Sequence, residues 1–133
     1  MERKWTNAQT AAMDITDKTL LVSAAAGSGK TATLTERIIR RIISKEIKAD
    51  ISNMLIVTFT RTAASELRSR IFAALSDALA TDPTNSHLAS QLVKIGGARI
   101  STIDSFYFDI VQSNLTRSGF RALYVLLTIQ STL

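Results

Sequence analysis

The chain has no cysteine, one proline, one histidine, one tryptophan and five glycines in 133 residues. Without cysteine there is neither a disulfide framework nor a thiolate metal site, which suits a reducing compartment. With a single histidine, His87, there is no partner at metal-ligand spacing, and it reads as an exposed helix residue. Long apolar runs are also lacking: the longest, near "LLV" and "ALYVLL", fall far short of a bilayer span, and "MERKWTNAQ" has no apolar core of a leader peptide. The expectation is a soluble, cytoplasmic chain without membrane contact. Acidic residues are the minority, eleven against sixteen Lys and Arg, for a formal charge of +5. That balance suits a polyanionic partner without specifying one. The length implies a single domain with a core.

Hydrophobic spacing alternates between strand and helix signals. A helix is expected over Ala8–Ile15, a buried strand over Leu20–Ala24, and a helix from Thr33 onward with Leu34, Ile38 and Ile42 on its apolar face. Arg37, Arg40, Arg41 and Lys45 fall mostly off that face and read as a solvated surface. A second buried strand is expected over Met54–Phe59. The spacing of Ala63, Ala64, Leu67, Ile71, Ala74, Leu75 and Ala78 predicts a long helix broken near Pro83. Leu88, Leu92 and Ile95 predict a shorter helix stopped by Gly96 and Gly97, "ARIST" a third strand, and Asp104–Leu115 a last helix. Strands alternating with helices imply an α/β chain with a parallel sheet in three layers.

Between the first strand and its helix lies "AAAGSGKT", Ala24 to Thr31. Small residues at Ala24, Ala25, Ala26, Gly27, Ser28 and Gly29 let backbone N–H groups converge on phosphate oxygens, and the helix that follows presents its positive end to the same place. The spacing is that of a Walker A loop, with Ala24 where glycine is commoner. In that pattern Lys30 reaches the β and γ phosphates of ATP and the Thr31 hydroxyl ligates Mg²⁺, so these two are the candidate catalytic residues and Thr31 the candidate metal ligand.

Three further stretches accompany it: "WTNAQTAAM", with Gln9 twenty-one residues before Lys30, "VTFTRTAASELRSRI" and "ISTIDSF". In this order the four motifs resemble the front of the UvrD/Rep group of superfamily 1 DNA helicases, with "VSAAAGSGKT" most similar to the AddA/RecB helicase-nuclease branch. The resemblance covers roughly residues 4 to 115. It implies a P-loop (RecA-like) fold, incomplete here, and makes Gln9 the adenine reader, since its amide carries both a donor and an acceptor. A solvated helix residue is the alternative. It also implies single-stranded DNA at Thr58, Phe59 and Thr60 and at Thr102, Ser105 and Phe106, by phosphate bonds and base contact. Phe59 could instead be core. Where many relatives carry histidine this chain has Asp104, whose carboxylate repels phosphate and reads as a helix cap.

The resemblance further implies a Walker B Asp-Glu pair and arginine fingers from a second domain. Neither is recognisable here. The expectation is therefore an N-terminal portion, residues 1–119, of an ATP-dependent DNA helicase in repair and recombination, inactive in turnover by itself, with an atypical apolar tail over 120–133. Its partners would be single-stranded DNA, the rest of the helicase chain and a second subunit of the helicase-nuclease. The alternatives are a stand-alone nucleotide- or DNA-binding module, or a different P-loop enzyme such as a small-molecule kinase.

Overall fold

Thr6 has a side chain that can accept from the backbone three residues on, and the first helix starts there. A computed structural model describes residues 4–15, 19–23, 25 and 27–118. In it Thr6 and Gln9 close a reciprocal capping box at the start of α1 (Asn7–Asp14). The chain continues through α2 (Lys30–Ile43), a 3-10 turn at Ile51–Asn53, β1 (Leu55–Thr58), α3 (Arg61–Thr81), α4 (Ser86–Lys94), a second 3-10 turn at Ile95–Gly97, β2 (Arg99–Thr102) and α5 (Ile103–Ser118).

β1 and β2 pair in parallel with Ile56 opposite Ile100 and Thr58 opposite Thr102. Alternation along each strand sends Ile56 and Ile100 into the core, while Leu55, Val57 and Arg99 remain exposed. The core joins Ile38 and Ile42 of α2, Leu67, Ile71 and Leu75 of α3, Leu88 of α4, and the two strand isoleucines. α5 packs on both strands, and none of its described side chains joins this cluster.

Buried polar side chains among the described residues are individually satisfied. The Thr33 and Thr35 hydroxyls donate to the carbonyls of Gly29 and Thr31 at 3.0 and 2.8 Å, so two threonines can lie inside α2's packed face. Gln91 is 1% exposed, and its Oε1 accepts from the Ile51 N–H at 2.8 Å, tying α4 to the turn that feeds β1. Arg68 reaches from α3 to four carbonyls, those of Ile95, Gly96, Ala98 and Ile100, at 2.7 to 3.3 Å. One guanidinium thereby shapes the entry to β2.

The mixed α/β character and the parallel pairing are as expected, but two strands are present among the described residues rather than three. Leu20–Ser23 of the expected first strand has no ladder partner among the described residues, and Leu21 and Val22 are 91% and 44% exposed. An apolar run becomes a strand only when a ladder partner takes up its N–H and C=O groups, and among the described residues β1 and β2 are paired with each other alone. Leu34, expected on the buried face of α2, stays exposed beside that segment. Ala24 at the end of the expected strand, and the apolar run Ala122–Ile129, lie outside the described residues. α2 starts three residues earlier than its periodicity predicts, at Lys30.

Candidate nucleotide and nucleic-acid site

Two glycines decide the shape of the loop before α2. Gly27 and Gly29 have φ of +77° and +84°, a region that costs a side-chain-bearing residue about 1–2 kcal/mol. Gly29 is the N-cap of α2 and, being glycine, brings no side chain to the helix's positive end. At Gly29 a Cβ would also meet Gln9 Nε2 at 3.1 Å. The Ser28 N–H turns back to the Ala25 carbonyl at 3.3 Å. Ala24 and Ala26 lie outside the described residues.

Lys30 is exposed at the first position of α2, and its ammonium donates to the Ala25 carbonyl at 2.7 Å, across the loop it follows. Thr31, next along, is exposed. Two hollows flank Lys30. One, of about 420 Å³, has walls that include Thr31, Thr33, Leu20 and Arg37; the other, of about 310 Å³, includes Thr6, Ala8, Gln9 and Ser28.

Gln9 is neither free in solvent nor simply facing the second hollow. Its Oε1 accepts from the Thr6 N–H at 3.0 Å and its Nε2 donates to the Ser28 carbonyl at 3.1 Å. A primary amide has two donors and two acceptor sites. These bonds orient the group and leave one of each for another partner.

Arg37 and Arg40, expected to be solvated, are engaged instead. Arg37 Nη1 donates to the Ala12 carbonyl at 2.5 Å and the Met13 carbonyl at 3.5 Å, and Arg40 pairs with Asp14 at 3.4 Å and Glu36 at 3.0 Å. The last carbonyls of α1 have no intrahelical partner, so a passing guanidinium finds them. Arginine spacing along α2 did not reveal this, because the receiving carbonyls belong to a segment 24 and 25 residues away. His87 is likewise half-buried, with Nε2 3.0 Å from the Ile42 carbonyl.

The second group of candidate residues gathers where β1 and β2 end. Thr58 and Thr102 are register partners, and each strand is followed within a few residues by a helix. Thr60 caps α3 by accepting from the Ala63 N–H at 3.1 Å, while its carbonyl accepts from the Thr58 hydroxyl at 2.9 Å. Thr102 is buried; its oxygen accepts from the Ser105 N–H at 3.2 Å and donates to Ser105 Oγ at 2.9 Å. The cap of α5 is thus Thr102 and not Asp104, which sits exposed in the first turn. Its carboxylate is favourable to the helix end and unfavourable to a second anion there.

Phe59 is 89% exposed, which removes the core alternative for that ring. Phe106 is half-buried, on the wall of a cavity of about 540 Å³ between β2 and α5, with its ring centroid 6.2 Å from that of Tyr107. Two helix N-termini therefore lie side by side, bordered by hydroxyls and one exposed ring. The structure brings Gln9, Gly27, Ser28, Gly29, Lys30 and Thr31 into one place and Thr58, Phe59, Thr60, Thr102 and Ser105 into another. No helix among the described residues is long and apolar enough to cross a membrane.

A family model described as UvrD/REP helicase N-terminal domain matches residues 5–132. The chain is 50% identical over 114 residues to an ATP-dependent helicase/nuclease subunit from Clostridioides difficile, covering 86% of this chain and 9% of that protein. It is 49% identical over 113 residues to the protein of the same name from Ruminiclostridium cellulolyticum, covering 85% and 9%, and 47% identical over 122 residues to that from Acetivibrio thermocellus, covering 89% and 10%. The chain thus spans about a tenth of the length of these relatives. With the family model running along nearly its whole length and about half of its aligned residues identical in relatives of one name, the chain belongs to the UvrD/REP helicase N-terminal domain family.

Proposed function

We propose that residues 1–119 are the ATP-binding and single-stranded-DNA-contacting N-terminal portion of an ATP-dependent DNA helicase of the helicase-nuclease type, with a P-loop (RecA-like) fold. The observation that carries this reading is the junction of Gln9, the glycine loop and Lys30. A base-reading amide is tethered to the carbonyl of Ser28, two residues before the lysine that heads α2.

The residues present fit a magnesium nucleotide. The two left-handed glycines keep side chains away from the loop backbone, and the positive N-terminal end of α2 favours an anion. Lys30 already rests on a loop carbonyl, and a phosphate is a stronger partner for its ammonium than a neutral oxygen. Thr31 is exposed, and its hydroxyl is the group that would hold Mg²⁺, which when bound would neutralise charge on the β and γ phosphates. The remaining donor and acceptor of Gln9 match the paired acceptor and donor on an adenine edge.

On the second surface, the Thr58 and Thr102 hydroxyls are committed to local bonds as donors. The hydroxyl protons of Thr60 and Ser105 are the ones that would reach DNA phosphates, beside two helix N-termini. Phe59 supplies an exposed ring on which a base can stack. The sequence holds no adjacent Asp-Glu pair to activate water. Binding without steady turnover follows for this chain by itself.

Calorimetric titration with Mg-ATP tests the reading. Binding is expected to be weak and to disappear in Lys30→Ala with the fold unchanged by circular dichroism. Equal affinity in the wild type and the variant would overturn it.

A further inference from the structure

α1 is eight residues long and buries one side chain, Met13. A helix this short does not hold together by itself in water, so its position depends on what grips its ends. At the N-terminal end the capping box orients Gln9, and Gln9 Nε2 holds the Ser28 carbonyl. At the C-terminal end the grip comes from α2: Arg37 Nη1 bonds the carbonyls of Ala12 and Met13, and Arg40 pairs with Asp14. The Arg40 pair is largely exposed and contributes little, whereas the Arg37 bonds are partly buried and meet carbonyls the helix itself cannot satisfy.

Arg37 lies on the same helix as Lys30, seven residues along, and both line the same hollow. We infer that Arg37 is a positioning residue for the nucleotide site. By fastening the C-terminal carbonyls of α1 to α2, it holds Gln9, at the other end of α1, against the loop that leads into Lys30. The amide proposed to read the base and the ammonium proposed to bind phosphate then form one rigid unit. Lysine is a poor substitute, because the planar guanidinium aims Nη1 from a fixed plane and a flexible ammonium cannot be pre-aimed in that way. The nucleotide part of this inference rests on the proposed role of Gln9; the mechanical part does not.

The test uses the full chain as wild type, Arg37→Met, Arg37→Lys and Gln9→Ala. Hydrogen exchange is followed in peptides over residues 7–14, 25–33 and 61–81, alongside titrations with Mg-ATP and Mg-GTP. In Arg37→Met, exchange is expected to rise at least tenfold in both 7–14 and 25–33 and to stay at the wild-type rate in 61–81. The ratio of ATP to GTP affinity should fall to that of Gln9→Ala, with Arg37→Lys between the two. Faster exchange in α1 with the loop unchanged would overturn the inference, and so would faster exchange in all three peptides, which is general destabilisation. A wild-type chain with no preference for ATP over GTP would refute the adenine-reading role of Gln9, while the exchange pattern would still decide whether Arg37 couples α1 to the loop.

Discussion

Gln9 Nε2 stands 3.1 Å from the carbonyl oxygen of Ser28, nineteen residues further along the chain. This one bond joins the cap of α1 to the loop that opens α2, and it sets the terms on which the amide can meet a nucleotide.

Removing the amide should therefore alter base preference more than total binding. Gln9→Ala is expected to reduce the preference for Mg-ATP over Mg-GTP by about 1 kcal/mol, roughly fivefold, the usual worth of one hydrogen bond to a base edge. Competition titrations of the two nucleotides measure it. An unchanged ratio would leave Gln9 with its capping and tethering roles alone.

The two loop glycines should respond differently to the same substitution. Gly27→Ala and Gly29→Ala each place a Cβ at positive φ, at a cost of about 1–2 kcal/mol. Only at Gly29 does that carbon also press on Gln9 Nε2, at 3.1 Å, while at Gly27 nothing lies within 4 Å. Thermal denaturation should show the larger loss for Gly29→Ala. A second change, Gln9→Ala in the Gly29→Ala background, should recover part of the difference.

Single-stranded DNA binding should be independent of sequence and weakened by salt. Phe59→Ala is expected to cost about 1–3 kcal/mol if one base stacks on the ring. Thr60→Val should lose a phosphate contact while also weakening the cap of α3. Fluorescence anisotropy with labelled oligothymidylate follows both. Isotherms that coincide with wild type would place the DNA elsewhere.

Acid should weaken the contact between the turn before β1 and the end of α4. Asp50 accepts from Lys94 Nζ at 2.5 Å and from the Ser52 N–H at 2.9 Å, and the lysine first and the backbone bond second hold its carboxyl well below the usual carboxylate range. A folded-state pKa below the unfolded one stabilises the protein above the unfolded value, near pH 4, and that stability is lost as pH falls further toward the folded value. Asp50→Asn is expected to flatten the decline of stability between pH 5 and about pH 2, measured by urea denaturation across that window. A slope identical to wild type would mean the pair contributes nothing.

Much of this chain was legible in its sequence. The apolar spacing of Leu67, Ile71 and Leu75 needs only the helical period, and the parallel pairing of two short apolar runs follows from the helices between them. The loop of Gly27, Gly29, Lys30 and Thr31 is local chemistry, so its place before a helix could be read directly. What could not be read depends on neighbours distant in the chain. Leu20–Val22 has the composition of a strand, yet pairing is a property of two segments and no single one can supply it. Asp104 looked like a cap from residue type, but the N–H of Ser105 turned to the Thr102 hydroxyl, a choice made by where β2 ends.

Sequence by itself determined the residue types, their periods and the glycine loop, because each of these is set within a few positions of the chain, and the family, because four such local motifs recur in order along it. Tertiary structure alone decided that Gln9 is tethered to Ser28, that Arg37 grips the end of α1, that Arg68 holds four carbonyls ahead of β2, and that Phe59 faces outward. The physical reason is common to all four. A hydrogen-bonding side chain or an aromatic ring carries no address, and its partner is whichever group the packing of Ile42, Ile56, Leu67, Ile71 and Ile100 brings within reach or turns away.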